Sequence, residues 1–293
     1  MFEGFELHHV DVGEATIRLR IGGSGPPLLL LHGNPQTHLM WHAVAPALAE
    51  RFTVVAADLR GYGGSSKPPS TADHEPYSKR AMARDQIAVM RHFGFERFGV
   101  VGHDRGGRVA YRMALDHPGI VERLAVLDIL PTYEHYRRAD MAFAMAYWHW
   151  FFLPQPFPLP ETMIGGDPEW FFKRNWPGAS EPPKFFDPEA LDDYWRAFSD
   201  PKTVHAICED YRAGATCDFR LDEADFGKRR IECPLLVLWG ARGVVGRLYD
   251  PLAVWRGWAN DVSGQAIDAG HYLAEERPEG MLQALLDFLL PGR

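Results

Sequence analysis

Short, wholly apolar runs that end on glycine-rich turns constrain this chain more than any other feature. Leu28–Leu31 lies between Pro26-Pro27 and His32-Gly33. Phe52–Ala57 runs into Asp58-Leu59-Arg60-Gly61-Tyr62-Gly63. Phe98–Val101 runs into Gly102-His103-Asp104-Arg105-Gly106-Gly107, and Val121–Leu127 ends at Asp128. A strand that is apolar throughout is stable only where both faces are covered. Stretches with helical spacing separate these runs, near Trp41–Glu50, Ser78–Phe93 and Arg108–Asp116. The alternation predicts an α/β fold with a mostly parallel sheet and helices on both faces. Two segments of period two, near Glu6–Val12 and Ala15–Ile21, precede it.

The pattern breaks after the sixth strand. From Tyr133 to Leu221 there is no buried-strand signal, and prolines stand at 154, 156, 158, 160, 168, 177, 182, 183, 188 and 201. This stretch holds 20 of the 37 aromatic residues (18 Phe, 10 Tyr, 9 Trp). Strand spacing resumes at Leu235–Trp239 and Ser263–Ile267, with helices near Pro251–Ala259 and Glu279–Leu290. The expected organisation is a core of residues 1–132 plus 223–293, with a helical, aromatic-rich cap of residues 133–222 inserted.

Charge narrows the partners. A net charge of −8 disfavours nucleic acid, which needs a basic face, but leaves a small anion in a local pocket open. No apolar stretch approaches the length of a membrane span, and the first residues lack the basic end and apolar run of a signal peptide. Three sparse cysteines read as free thiols in a reducing compartment, so a cytoplasmic location is expected. His38 and His42 have a metal-binding spacing without a clear third ligand, and Gly61–Ser66 lacks a phosphate-loop lysine. Neither a metal nor a cofactor is expected.

The chemistry concentrates at Gly102-His103-Asp104-Arg105-Gly106. Glycines two before and two after the middle residue permit a sharp strand–turn–helix elbow that lifts its side chain above the sheet. In the common version that residue is serine. Here it is Asp104, a carboxylate already ionised near neutral pH, which can attack a saturated carbon and form an ester. Hydrolysing that ester needs water activated by a neutral imidazole, and His271 stands between the last strand and the last helix. No carboxylate follows the penultimate strand until Asp250, so Asp128 is the better candidate for orienting the histidine. The backbone N–H groups of Asn34 and Arg105 are expected to form an oxyanion hole. Arg105 and Arg108, three apart at a helix start, share a face beside Asp104, and their guanidinium forks suit a carboxylate.

End to end, the chain resembles the α/β-hydrolase fold. The Asp nucleophile restricts the match to haloalkane dehalogenases, epoxide hydrolases and haloacetate dehalogenases. Gly102–Arg108, Tyr147-Trp148-His149-Trp150 and Cys208-Glu209-Asp210-Tyr211-Arg212-Ala213 are similar to the haloacetate (fluoroacetate) dehalogenases. That resemblance implies Asp104 as nucleophile, His271 as base, Asp128 as its acid, Arg105 and Arg108 as the carboxylate clamp, and a homodimer. It also implies His149, Trp150 and Tyr211 as halide donors, N–H and O–H groups on apolar bodies that replace the waters around a leaving halide. The implied reaction converts a haloacetate to glycolate and halide. Asn34 stands where such enzymes commonly carry Phe, which leaves the halide preference open. Two rival readings share the motifs. An epoxide hydrolase would need two tyrosines from Tyr133, Tyr147, Tyr194 and Tyr211, and a non-catalytic protein of this fold would only bind a small carboxylate.

Overall fold

In the computed structural model, which describes residues 1–174 and 181–290, eight strands form one sheet. They are β1 (Glu6–Asp11), β2 (Thr16–Gly22), β3 (Pro27–Leu31), β4 (Thr53–Ala57), β5 (Phe98–His103), β6 (Val121–Leu127), β7 (Leu235–Gly240) and β8 (Val262–Ile267). The spatial order is β1-β2-β4-β3-β5-β6-β7-β8. The first two strands pair antiparallel and join β4 antiparallel; every other pairing is parallel. All eight strands fall where the sequence spacing puts them. Leu28–Leu31 are fully buried, each contributing roughly 1.5–3 kcal/mol of apolar burial, which is why this run needs no polar alternation.

Register decides where the chemistry gathers. Leu31 pairs with Gly102, Gly102 with Val126, and Val126 with Val237. Residues two positions further on, Gly33, Asp104, Asp128 and Trp239, therefore emerge at one level along the carboxyl edge. Strand β3 lies between β4 and β5, so the chain reverses its direction of winding there. Such a switch point opens a crevice at the strand ends.

Helices α1 (Ala45–Ala49), α2 (Lys79–His92) and α3 (Asp104–Asp116) follow β3, β4 and β5 in sequence. The helix expected over Trp41–Glu50 is shorter, because Pro46 is tolerated only in a first turn; a 3-10 turn, His38–Trp41, precedes it. Between β6 and β7 the described residues form helices and turns without a strand of the sheet. Three of the prolines there start helices rather than break them. Asp167-Pro168, Asp187-Pro188 and Asp200-Pro201 each place an aspartate at the N-cap, accepting from a first-turn N–H, and a proline in the first turn. The three cysteines are free thiols. Among the described residues no helix is long and apolar enough to cross a membrane.

Candidate active site

Asp104 sits at the tip of the elbow with φ +44°. A left-handed backbone costs a non-glycine residue roughly 1–2 kcal/mol, and the surroundings hold it there. A Cβ on Gly106 would lie 2.5 Å from the Leu31 and His32 carbonyl oxygens, and one on Gly102 would lie 2.5 Å from the Gly106 oxygen. Glycine alone lets α3 approach β3 and β5 this closely.

The Asn34 N–H donates to Asp104 Oδ2 at 2.9 Å, which leaves Oδ1 as the unrestrained oxygen. Arg105 follows Asp104 in the first turn of α3, where helix geometry leaves N–H groups without an intrahelical acceptor. Burial alone would raise the Asp104 pKa. His271, then Arg105 and Arg108, outweigh it and hold the carboxyl well below the usual range. The aspartate is an anion at any working pH.

His271 Nδ1 lies 2.6 Å from Asp128 Oδ2. Asp128 is buried, has φ +51°, and accepts the Gly240 N–H at Oδ1, 3.0 Å away. The end of β7, the alternative place for an acid, thus provides a backbone donor to Asp128. Asp250 instead caps the helix Pro251–Trp255. Burial would lower the His271 pKa, but the hydrogen bond and charge of Asp128, and then Asp104, raise it above its ordinary value.

The expected pair of arginines divides in two. Arg105 Nε and Nη2 each lie 2.8 Å from a carboxylate oxygen of Asp210, and Nη2 also donates to the Asp210 carbonyl at 3.0 Å. Asp210 is buried and additionally accepts from Lys79 Nζ and, at 2.6 Å, from Tyr62 Oη. The Arg105 guanidinium thus has a carboxylate partner inside the protein, while its Nη1 makes no hydrogen bond with Asp210. The two arginines expected as the carboxylate clamp differ in their partners: Arg105 is paired with a buried carboxylate, and Arg108 is not. Arg108 lines the cavity and has no carboxylate partner among the described residues. Its Nη1 donates to the Leu130 carbonyl at 2.8 Å, its Nε is buried without a partner, and the group lies 4.5 Å over the Trp150 ring. Burial and the neighbouring Arg105 lower its pKa.

The cavity has a volume of about 420 Å³. Asn34, Asp104, Asp128 and His271 line it, as do His149, Trp150 and Tyr211 from the helical segment. The His149 ring, Trp150 Nε1 and Tyr211 Oη have no hydrogen-bond partner among the described residues. Burial, and then the cation of Arg174, push the His149 pKa well down, so this ring is neutral. Tyr147 also lines the cavity, whereas Tyr194 donates to Glu275 and Tyr133 packs on Phe219 and Phe226.

Two features escape sequence reasoning. Asp210 lies within the motif Cys208–Ala213, but nothing local says that it turns toward Arg105 while Tyr211 turns to the cavity. Arg174 lines the cavity from the end of the helix Pro168–Lys173, a stretch without a motif. His38 pairs with Asp58 while His42 turns to the Leu39 carbonyl, so the two share no centre. No cluster of three metal-ligating side chains occurs among the described residues.

An aspartate on a strand–helix elbow, a histidine–aspartate pair and a backbone donor at the β3 end define an α/β-hydrolase. The chain belongs to the alpha/beta hydrolase fold family, whose model matches residues 26–278. Over its full length it is 51% identical to a fluoroacetate dehalogenase from Burkholderia sp, of which it covers 96%. It is also 32% identical to a soluble epoxide hydrolase from Corynebacterium sp. (strain C12), again with all of this chain and 96% of the relative covered. A crystal structure from Nostoc sp PCC 7120, provisionally described as an alpha/beta hydrolase, is 56% identical with a TM-score of 0.96 and full coverage of both chains.

Proposed function

We propose that this protein hydrolyses haloacetates to glycolate and halide through an ester on Asp104. The chain is a hydrolase acting on carbon–halide bonds. The observation that carries the substrate assignment is Arg108, a buried cation without a carboxylate partner among the described residues, in the same cavity as an ionised Asp104. A neutral haloalkane gives no reason for it; a halocarboxylate does. Arg108 binds the carboxylate, helped by Nη1 of Arg105, which the Asp210 contacts do not use. Asp104 Oδ1 attacks the carbon bearing the halogen, the carbon–halogen bond breaks, and the halide leaves with its electron pair toward His149, Trp150 and Tyr211.

Esterification removes the Asp104 charge, one of the causes that raise the His271 pKa, so His271 gives up its proton more readily at this stage. The neutral imidazole, held by Asp128, takes a proton from water that attacks the Asp104 carbonyl carbon. The Asn34 and Arg105 N–H groups receive the oxyanion on Oδ2. Collapse breaks the Cγ–Oδ1 bond, the departing oxygen takes the proton held by His271, and glycolate is released while the remaining carboxyl proton passes to solvent. Residues 133–222 act as the lid that carries the halide donors.

The direct test is halide release from fluoroacetate and chloroacetate, with D104A as control. Equal release by D104A refutes the nucleophile. One turnover in oxygen-18 water should label Asp104, and label found directly in glycolate would sink the ester route.

Epoxide hydrolysis is the second reading, favoured by Tyr147 and Tyr211, which both line the cavity. Turnover of styrene oxide without chloride release from chloroacetate would select it. Carboxylate binding with no turnover of either substrate would select a non-catalytic binder. We also place the protein in the cytoplasm, without nucleic-acid or membrane partners, as a homodimer. Exposed Met141, Met145, Phe157 and Met163 on the helical segment support self-association, which light scattering on the purified protein measures directly.

A further inference from the structure

We propose that the cavity holds a second anion subsite, built on Arg174, which takes the distal carboxylate of a 2-halo dicarboxylic acid such as a 2-halosuccinate. The proposal rests on the dehalogenase reading for the reaction, but not for the binding.

Arg174 closes the helix Pro168–Lys173 and lines the same cavity as Arg108 and Asp104. Its guanidinium lies 3.9 Å over the Phe171 ring and 5.9 Å from the Trp148 ring centre. Nη1 donates to the Phe171 carbonyl at 2.6 Å. Stacking and this bond fix the plane of the fork before any ligand arrives, which lowers the ordering cost of a bidentate contact. Nε is buried without a partner. No carboxylate pairs with Arg174 among the described residues, and the six residues that follow it in the sequence, 175–180, contain no Asp or Glu. Burial lowers its pKa to about 10, so it remains a cation at neutral pH.

The other charges on the wall are already spoken for. Asp128 holds His271, and Glu276 accepts the Gly270 and Tyr272 N–H groups. Two unpaired guanidiniums, Arg108 and Arg174, therefore face one cavity. Its 420 Å³ well exceeds a haloacetate, whose five heavy atoms fill roughly 150 Å³ on the scale of about 30 Å³ per liquid water. A bare halide needs point donors, which His149, Trp150 and Tyr211 supply. A planar fork matches two oxygens of a carboxylate. With the first carboxylate on Arg108 and the halogen-bearing carbon at Asp104, the second carboxylate extends toward Arg174, bordered by Tyr211 and Tyr272.

Calorimetric titration with succinate and butanoate, which share four carbons and differ in the distal carboxylate, tests the subsite without chemistry. The wild-type protein should bind succinate at least tenfold more tightly. R174Q should bring the two within about twofold while leaving butanoate unchanged, and R174K should keep part of the preference. Chloride release from 2-chlorosuccinate should then exceed that from 2-chlorobutanoate in kcat/KM, and R174Q should remove the difference. Equal binding of succinate and butanoate by the wild type overturns the proposal, as does an equal loss for both ligands in R174Q. Chloroacetate turnover reports the underlying reaction separately. A succinate preference without chloroacetate turnover keeps the subsite and defeats the dehalogenase reading; the reverse result defeats the subsite alone.

Discussion

Replacing Arg105 or Arg108 with methionine should produce opposite patterns of stability and activity. Arg105 is half of a buried bidentate pair with Asp210. Removing one member of a buried pair costs about 3–5 kcal/mol, because the other charge is stranded. Lys79 still reaches Asp210, which places R105M at the low end, about 3 kcal/mol. At roughly 2–4 °C per kcal/mol for a chain of this size, the melting temperature falls by about 6–12 °C. Arg108 differs. R108M loses one bond to the Leu130 carbonyl, worth roughly 1–3 kcal/mol if that oxygen is left bare, but it also removes an unpaired buried cation. The two effects oppose each other, so the melting temperature moves by no more than about 4 °C.

Activity reverses the order of clarity. Charged hydrogen bonds contribute about 1.5–3 kcal/mol each, so losing the Arg108 contacts to a bound carboxylate lowers kcat/KM for chloroacetate by roughly 10²–10³. Chloroacetamide, the same size without the charge, should lose less than tenfold. Thermal melts and chloride release on the same preparations provide the readout. The reasoning fails if R108M melts 6 °C or more below wild type while R105M does not. It also fails if R108M slows chloroacetate and chloroacetamide equally.

Three further outcomes follow from the geometry. H271N should stop at the ester, so mass spectrometry after one turnover with chloroacetate shows the chain heavier by one carboxymethyl group; an unmodified chain beside released chloride would assign the water activation elsewhere. In G33A a Cβ would lie 2.6 Å from Asp104 Cβ, so the nucleophile must shift, and kcat should fall by about 10² with the fold retained on circular dichroism; wild-type kcat would show that the elbow tolerates the methyl. Burial pushes the Glu275 pKa up to about 8, against the partial opposition of Tyr194 and Gln36. Its folded pKa lies above the unfolded value of 4.5, so its contribution is complete below pH 4.5 and is lost as pH rises toward 8, with a slope of up to about 1.4 kcal/mol per pH unit. Urea titrations of E275Q across that window should give a flatter profile than wild type, and an unchanged slope would place the proton on another group.

What the sequence makes legible is what short-range rules control. Apolar runs bounded by glycine set the strands, and register then carries Asp104 and Asp128 to the same edge without further information. The elbow is local as well, since its glycines are required by contacts of α3 with β3 and β5 that any such turn makes. Even the proline-rich segment is partly legible, because an Asp-Pro pair supplies both a capping oxygen and a first-turn residue that needs no N–H acceptor. The division between Arg105 and Arg108 is not local. Helix spacing makes the two arginines neighbours on one face, and nothing in residues 102–108 separates them. The separation comes from Asp210, 105 residues away from Arg105, delivered by the helix Pro201–Ala213 together with Tyr211. One residue of rotation on that helix sends the carboxylate to Arg105 and the phenol to the cavity. The charge available to a substrate is therefore decided by packing between the helical segment and the sheet. For that reason a net charge of −8 over the chain and an unpaired cation beside the nucleophile coexist.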